Sequence, residues 1–365
     1  MKQKIAIAVS GGIDSMMAAY LLKSEGHDVF GIHFITGYEK DTIDMNTIPD
    51  TIYPNKAIAA ILPVSLISDQ LGIHLKIIDL RHVFREKVVD YFVETYLKGR
   101  TPNPCLFCNP FIKFGILFDH AKKWGATKLA TGHYARILTD KNGTCHLKKG
   151  IDPQKDQSYF LSLLTQEKLT DAVLPLGSYT KKDIINLSAD LNLIPAIKNE
   201  SQDICFIPDG AYHHFIEKQP EFKSAPGPIK NSHGEILGEH QGLHLFTVGQ
   251  RRGINCPAAQ AYYVSQIDVT TNTLVVGFKD DLSAAMCHVE RINWIQTSPD
   301  AETEIQIKVR YSQKEIPARI KPVDRKTAII YFNEPVFPVT PGQGAVFIKD
   351  DEILGGGIIA RGCKE

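Results

Sequence analysis

Five residues, Ile5-Ala6-Ile7-Ala8-Val9, run straight into Ser10-Gly11-Gly12-Ile13-Asp14-Ser15, and an apolar stretch starting at Met16 follows at once. A short apolar run, a turn with two glycines and a helical pattern, in that order, specify a strand, a loop and a helix at the start of a parallel sheet. Such a turn exposes several backbone N–H groups, and the positive end of the following helix adds to their field, so the loop suits phosphate. Spacing excludes two common phosphate loops: the Lys of the Walker sequence is missing, and the dinucleotide fingerprint needs a third Gly further on. The bland alternative is an incidental Ser/Gly turn before a helix, with Asp14 as its cap.

The alternation continues to about residue 135. Strands are expected at Ile5–Val9, Val29–Phe34, Leu75–Asp79 and Lys128–Thr131, with helices at Met16–Ser24, Arg81–Leu97 and Phe111–Trp124 between them. Gly26, Gly99 and Gly125 stand where those helices stop. A further helix opens at Thr180 and closes before Pro195. From about Gly210 the texture changes to short runs rich in Gly, Pro and β-branched or aromatic residues. Strands are expected there at Ala261–Asp268, Thr273–Val276, Glu304–Tyr311, Ala318–Pro322, Thr327–Phe332 and Gly344–Ile348. The fold class is therefore α/β: an N-terminal doubly wound parallel sheet followed by two small mainly-β domains, the last a β-barrel. A chain of 365 residues exceeds what one core usually supports, and the expected domains are 1–204, 205–277 and 283–362, with Gly277–Ala285 as a linker.

Forty-one basic residues balance forty-one acidic ones, so a nucleic-acid partner would have to be met by a local basic face. The apolar run at Ile5–Val9 is too short for a signal peptide, and no stretch approaches the roughly 18 apolar residues that span a bilayer. A cytoplasmic protein without a membrane partner is expected. Seven cysteines, an odd number in a long chain, do not suit a secreted disulfide scaffold. They read as core residues, metal ligands or reactive thiols.

Two cysteine segments carry chemistry. In Thr101-Pro102-Asn103-Pro104-Cys105-Leu106-Phe107-Cys108-Asn109 the prolines fix an extended approach, and Cys108 falls just before an expected helix whose N-terminal field favours a thiolate. In Ser201-Gln202-Asp203-Ile204-Cys205-Phe206-Ile207, Cys205 taken alone reads as a buried core residue. Cys145, Cys256, Cys287 and Cys363 have no partner pattern and are assigned to packing or surface.

The Ser-Gly-Gly-X-Asp-Ser loop resembles that of enzymes splitting ATP into AMP and pyrophosphate. Together with Ala130-Thr131-Gly132-His133-Tyr134-Ala135-Arg136, Lys155-Asp156-Gln157-Ser158-Tyr159-Phe160-Leu161, Thr247-Val248-Gly249-Gln250-Arg251-Arg252-Gly253, Val309-Arg310-Tyr311, Thr340-Pro341-Gly342-Gln343 and Gly355-Gly356-Gly357-Ile358-Ile359, it resembles one family across essentially the whole chain. That family is the tRNA-specific 2-thiouridylases, which put sulfur on the wobble uridine. The resemblance implies an ATP-pyrophosphatase-type first domain. It implies ATP binding by Ala8, Val9, Ser10, Gly11, Gly12, Ile13, Asp14 and Ser15, with Phe34 and Gly132 near the adenosine and magnesium held by Asp14. The cysteine matching Cys205 would carry sulfur as a persulfide, and Cys108 would release it, leaving a disulfide between the two. The tRNA anticodon stem-loop would meet Asn103, Pro104, Cys105, His133, Lys155, Asp156, Gln157, Arg310, Tyr311 and Gln343, and a sulfur-donor protein, a relay or cysteine desulfurase, would be a second partner.

The chain departs from the family at position 105, where an Asp is usual and Cys105 stands, and at Pro110, where a Lys is usual. Three thiols, Cys105, Cys108 and Cys205, leave three readings open: persulfide chemistry, a [4Fe-4S] cluster with one open iron, or a structural zinc needing a fourth ligand. Two further readings remain: another chemistry of the same loop, such as carbon–nitrogen bond formation with ammonia, and a non-catalytic tRNA-binding paralogue.

Overall fold

The computed structural model describes residues 2–39, 56–197, 204–207, 211–220 and 222–363, with 56–63 and Asp281 described in backbone alone. Two compact units result: Met1–Lys87 with Cys105–Gly210 and Asp351–Ile353, and Val88–Pro104 with Ala211–Asp350 and Leu354–Glu365.

The first unit is built on strands β1 (Lys4–Ala8), β2 (Asp28–Ile35), β3 (Leu75–Asp79), β4 (Lys128–Ala130), the hairpin β5 (Ala135–Thr139) and β6 (Cys145–Lys149), and β7 (Ala172–Val173). A parallel sheet runs in the order β3-β2-β1-β4-β7. Helix α1 (Ile13–Ser24) buries Met16, Met17, Ala18, Ala19, Leu21 and Leu22 in one cluster with Ile5, Ile7 and Val9 of the first strand. Burial on both faces explains why β1 reads as an unbroken apolar run and not as an alternation. The four expected strands match β1 to β4 within one residue at each end.

Helices differ more from expectation. Arg81–Leu97 divides into an α-helix at Arg81–Phe84, a π-helical stretch at Arg85–Val89 and an α-helix at Asp90–Leu97. The cysteine helix begins earlier than expected, at Cys105–Phe107, continues as a π-helical stretch at Cys108–Leu117 and ends as an α-helix at Phe118–Lys123. Apolar spacing keeps one face buried under either winding, so it does not separate them. Helix α2 (Lys56–Leu71) has no counterpart in the sequence reading, because Pro63 and an almost unbroken apolar run hide its period.

In the second unit, β8 (Gly227–Asn231), β9 (Ile236–His240), β10 (Tyr263–Asp268) and β11 (Thr273–Gly277) form a sheet in the order β10-β11-β8-β9. It packs around Ile229, Phe246, Ile254, Val264, Leu274 and Val276. Strands β12 (Ala284–Trp294), β13 (Thr303–Lys308), β14 (Ile316–Pro322), β15 (Ala328–Val336), β16 (Gly344–Lys349) and β17 (Glu352–Cys363) follow in the order β12-β15-β14-β13-β16-β17. Strand β17 pairs back onto β12, which closes a six-stranded barrel and leaves it no open edge. Its interior holds Cys287, Ile307, Ile330, Phe347 and Ile359. The expected linker Gly277–Ala285 is instead the end of β11, a 3-10 turn at Lys279–Leu282 and the start of β12.

Candidate active site

β1 lies between β2 and β4, so the chain leaves it toward one side of the sheet and returns to it from the other. At such a switch point a crevice opens above the carboxyl ends of the strands, where ligands of open α/β sheets bind. Ser10–Ser15 leave β1 at this point, and Thr131-Gly132-His133 leave β4. Gly11 adopts φ 92°, a conformation that favours glycine, and its carbonyl accepts from the Ile197 N–H at 3.0 Å. Ser15 Oγ donates to Gly12 O at 3.1 Å and accepts from the Ser10 N–H at 3.1 Å. Its single proton being used, Ser10 Oγ donates to it across 3.2 Å. Gly12, at the N-cap of α1, has no side chain to cap the first turn, so those N–H groups are left for an anion. Gly132 is required by packing, since a Cβ there would stand 2.8 Å from the Asp14 carbonyl carbon and 2.9 Å from Ser15 N.

Asp14 is not a bare carboxylate. The buried Tyr134 hydroxyl donates to its Oδ1 at 2.7 Å, and Lys181 Nζ donates to Oδ1 at 2.7 Å and Oδ2 at 2.9 Å. Sequence reasoning missed Lys181. The local signal was present: Thr180 and Asp183 form a capping box, with the Asp183 N–H donating to Thr180 Oγ1 at 3.1 Å and the Thr180 N–H to Asp183 Oδ2 at 2.9 Å. That box fixes Lys181 as the first residue of its helix. Its pairing with Asp14, 167 residues away, leaves no trace in local pattern. Phe34, at the carboxyl end of β2, is half-buried, with its ring centre 6.5 Å from that of Phe84.

The three thiols belong to the same unit as the loop. Phe206 anchors the Cys205 segment, being buried between the rings of Tyr38 at 5.9 Å and Phe84 at 5.8 Å. Ser201-Gln202-Asp203 lie outside the described residues. Cys108 is buried, Cys105 half-buried, and Cys205 keeps an exposed surface. The expected thiolate at Cys108 is not found. It stands at the fourth position of the continuous helical stretch, not before it, and burial pushes its thiol up to about 12 against the opposing pull of Lys113. Desolvation also raises Cys105, and it lifts Cys205 to about 11. All seven cysteines are free thiols. Cys108 feels the charges of Cys105 and Cys205, and Cys205 that of Cys105, while among the described residues no group of three or more His, Cys, Asp or Glu is placed to hold a metal ion.

His133 is buried, with Nδ1 2.7 Å from Thr131 Oγ1 and Nε2 3.4 Å from Lys113 Nζ. Desolvation, helped by the Lys113 charge, keeps it well below the usual histidine range, so the ring is neutral. An ammonium only donates, which makes Nε2 the acceptor and puts the ring proton on Nδ1, toward Thr131.

Several residues expected to touch RNA have partners inside the protein. Asp156 is buried and accepts from the N–H groups of Gly150 at 3.0 Å and Ser158 at 3.1 Å, and from the Ser158 hydroxyl at 3.0 Å. Gln157 Oε1 accepts from the Tyr134 N–H at 3.1 Å. In the second unit the Gln343 amide donates to the Thr101 and Pro102 carbonyls at 3.1 Å each, and the Thr101 N–H donates to Pro341 O at 2.8 Å. These bonds fix the run through Asn103 and Pro104 that leads into Cys105. Arg310 donates to the Val248 carbonyl at 3.1 Å and to the Thr340 hydroxyl, and the Lys308 ammonium lies 5.7 Å from the Tyr311 ring centre. Lys155 is half-buried in the loop before Asp156.

Three family models match in succession: a tRNA methyl transferase HUP domain over residues 3–209, a tRNA methyl transferase PRC-barrel domain over 213–278 and an aminomethyltransferase beta-barrel domain over 284–359. Similar proteins cover the whole chain. The tRNA-specific 2-thiouridylase MnmA of Desulfosudis oleivorans is 46% identical over 355 residues, 97% of this chain and 94% of that one. Those of Thermoanaerobacter pseudethanolicus and Geotalea uraniireducens are each 41% identical, spanning 99% and 98% of this chain and 99% and 95% of their own lengths.

Proposed function

This chain belongs to the tRNA-specific 2-thiouridylase family, and from that premise we propose that it replaces the 2-oxygen of the wobble uridine in tRNA with sulfur, using ATP and a cysteine-bound persulfide. One observation carries the reading: the Ser10–Ser15 loop and the thiols of Cys105, Cys108 and Cys205 are folded into a single compact unit. The chain divides, in this reading, into a catalytic domain 1–204, a central domain 205–277 and a barrel 283–362. Seven free thiols suit a reducing cytoplasm. Among the described residues no helix is long and apolar enough to cross a membrane.

Oxygen on C2 leaves poorly, so it is first made part of an ester. The C2 oxygen attacks the α-phosphorus of ATP, an O–P bond forms, and pyrophosphate departs onto the uncapped N–H groups of α1 and the Ser10 and Ser15 hydroxyls, with Ala8, Val9, Gly11, Gly12 and Ile13 shaping the loop. Magnesium takes one or two carboxylates and otherwise phosphate oxygens and water, which suits a loop whose one carboxylate, Asp14, is already shared with Lys181. When bound, it would neutralise charge on the phosphates. Phe34 and Gly132 flank the place for the adenosine.

Sulfur transfer then follows at the cysteines. The terminal sulfur of the Cys205 persulfide bonds to C2 as the C2–O bond breaks and AMP leaves with the electron pair. Cys108 attacks the Cys205 sulfur, a Cys108–Cys205 disulfide forms and the thiolated base is released. The Cys108 thiol is oxidised as it takes the place of the outer sulfur on Cys205, and the transferred sulfur is reduced. Of the two protons lost, one ends on the base and one in solvent. A cellular dithiol reductant opens the Cys108–Cys205 disulfide by exchange, becoming a disulfide itself, and a sulfur-donor protein then passes the outer sulfur of its own persulfide to the freed Cys205. For the anticodon stem-loop the contacts proposed are Cys105, His133, Lys155, Asp156 and Gln157 in the first unit, and Asn103, Pro104, Arg310, Tyr311 and Gln343 in the second.

Exchange of labelled pyrophosphate into ATP tests the reading. Exchange should require tRNA, and Asp14→Asn should cut it by about a hundredfold or more, as loss of preorganised charge stabilisation does, with tRNA affinity retained. Exchange without tRNA would point to a different acceptor, and tRNA binding without exchange would make the chain a non-catalytic tRNA binder.

A further inference from the structure

We infer that Lys113 is a positioning residue of the sulfur-transfer step, its ammonium serving as the counter-charge for the sulfur anions formed at Cys205 and Cys108. The inference rests on the function proposed above.

Winding places Lys113 there. Cys108 and Lys113 are five residues apart in a stretch whose bonds run i to i+5, so the wider π turn brings Lys113 back toward the face carrying Cys108. Regular α winding would put Ile112, a buried core residue, nearest to that face. The ammonium is then held from the neighbouring strand exit, where Nζ meets His133 Nε2 at 3.4 Å and Thr131 fixes the other side of the ring. A neutral acceptor orients the cation without cancelling its charge.

Electrostatics point the same way. Cys105, Cys108 and Cys205 are all raised by burial, and Lys113 is the one positive group opposing that rise at each of them among the described residues. The other charges acting there are the thiols themselves and, at Cys205, Glu39, both of which raise them further. The transfer demands an anion at the persulfide as it attacks C2 and another at Cys108 as it attacks Cys205. Desolvation opposes both anions, most strongly at the buried Cys108, and a nearby cation offsets that cost.

The test is single-turnover transfer from enzyme carrying a preloaded Cys205 persulfide to tRNA with ATP. Lys113→Ala should slow transfer by about a hundredfold, comparable to loss of one charge-stabilising group, while pyrophosphate exchange falls far less. Lys113→Arg should recover much of the rate, and added methylammonium should speed the Ala variant where methanol does not. Normal transfer by Lys113→Ala, or a defect that neither Arg nor methylammonium relieves, would overturn the inference. Alkylation of Cys205 by iodoacetamide at fixed pH tests Lys113 even if the parent transfers no sulfur to tRNA, an outcome that would overturn the proposed function instead. The rate should fall about tenfold for each unit by which the thiol rises on loss of the cation, and an unchanged rate would refute the role.

Discussion

A sulfur atom reacts as an anion, and burial resists making one. At Cys108 burial wins, and a thiol pushed up to about 12 is almost wholly protonated at neutral pH. With Cys105 and Cys205 raised as well, the resting thiols are neutral, and Lys113 is the cation that opposes the rise at each. Cys105 is the residue that separates mechanisms. It is half-buried, raised by desolvation and opposed by Lys113, so a carboxylate in its place would find a cation partner. Cys105→Asp should therefore retain thiolation in a single-turnover assay, because a short acid can still move protons. If the parent instead binds iron, and Cys105→Asp loses iron and thiolation together, the persulfide account fails. At this scale the sequence was readable where conformation follows from local order, as in the turn from β1 into α1 at Ser10–Ser15. It was opaque where partners are distant: Lys181 on Asp14 spans 167 residues. The inward bonds of Asp156, Gln157 and Gln343 were equally hidden, because charged and amide side chains look alike on a surface and in a buried turn.

The cysteine helix shows how an element serves its residues. Its Cys108–Leu117 stretch leaves helical geometry at Phe114 (φ −86°, ψ 21°) and Gly115 (φ −124°, ψ −110°). Lys168 Nζ donates to the Phe114 carbonyl at 2.9 Å, satisfying a group at the kink. Gly115 is needed for close approach, since a Cβ would lie 2.8 Å from the Pro110 carbonyl oxygen. Gly115→Ala should cost about 1–3 kcal/mol in a denaturant titration, the usual cost of overpacking, and should slow sulfur transfer by disturbing the register of Cys108 and Lys113. Unchanged stability and transfer would show that the kink tolerates a methyl group. Periodicity located this element but not its winding, because a 3.6-residue stripe and a wider π stripe bury much the same apolar set over ten residues. β1 to β4 were legible because a parallel strand covered on both faces is an apolar run bounded by turns. β12, with polar residues along an eleven-residue strand, was not, and neither was α2.

For the whole molecule, zero net charge decides little, since recognition of an RNA loop depends on where a few cations stand and not on their sum. The order of architectures was readable: a parallel sheet first, then all-β modules, the last closing on itself. Harder to see was that Val88–Pro104, early in the chain, folds with the later modules, because long-range hydrogen bonds such as those from Gln343 to Thr101 and Pro102 have no local signature. The central claim, ATP-driven sulfur transfer from Cys205 to tRNA, is tested most directly by loading Cys205 with heavy-isotope persulfide and following one turnover by mass spectrometry. The account predicts one heavy sulfur in the wobble uridine, AMP released in equal amount and a Cys108–Cys205 disulfide in the enzyme. Thiolation that carries no label, or that persists in Cys205→Ser, would contradict it.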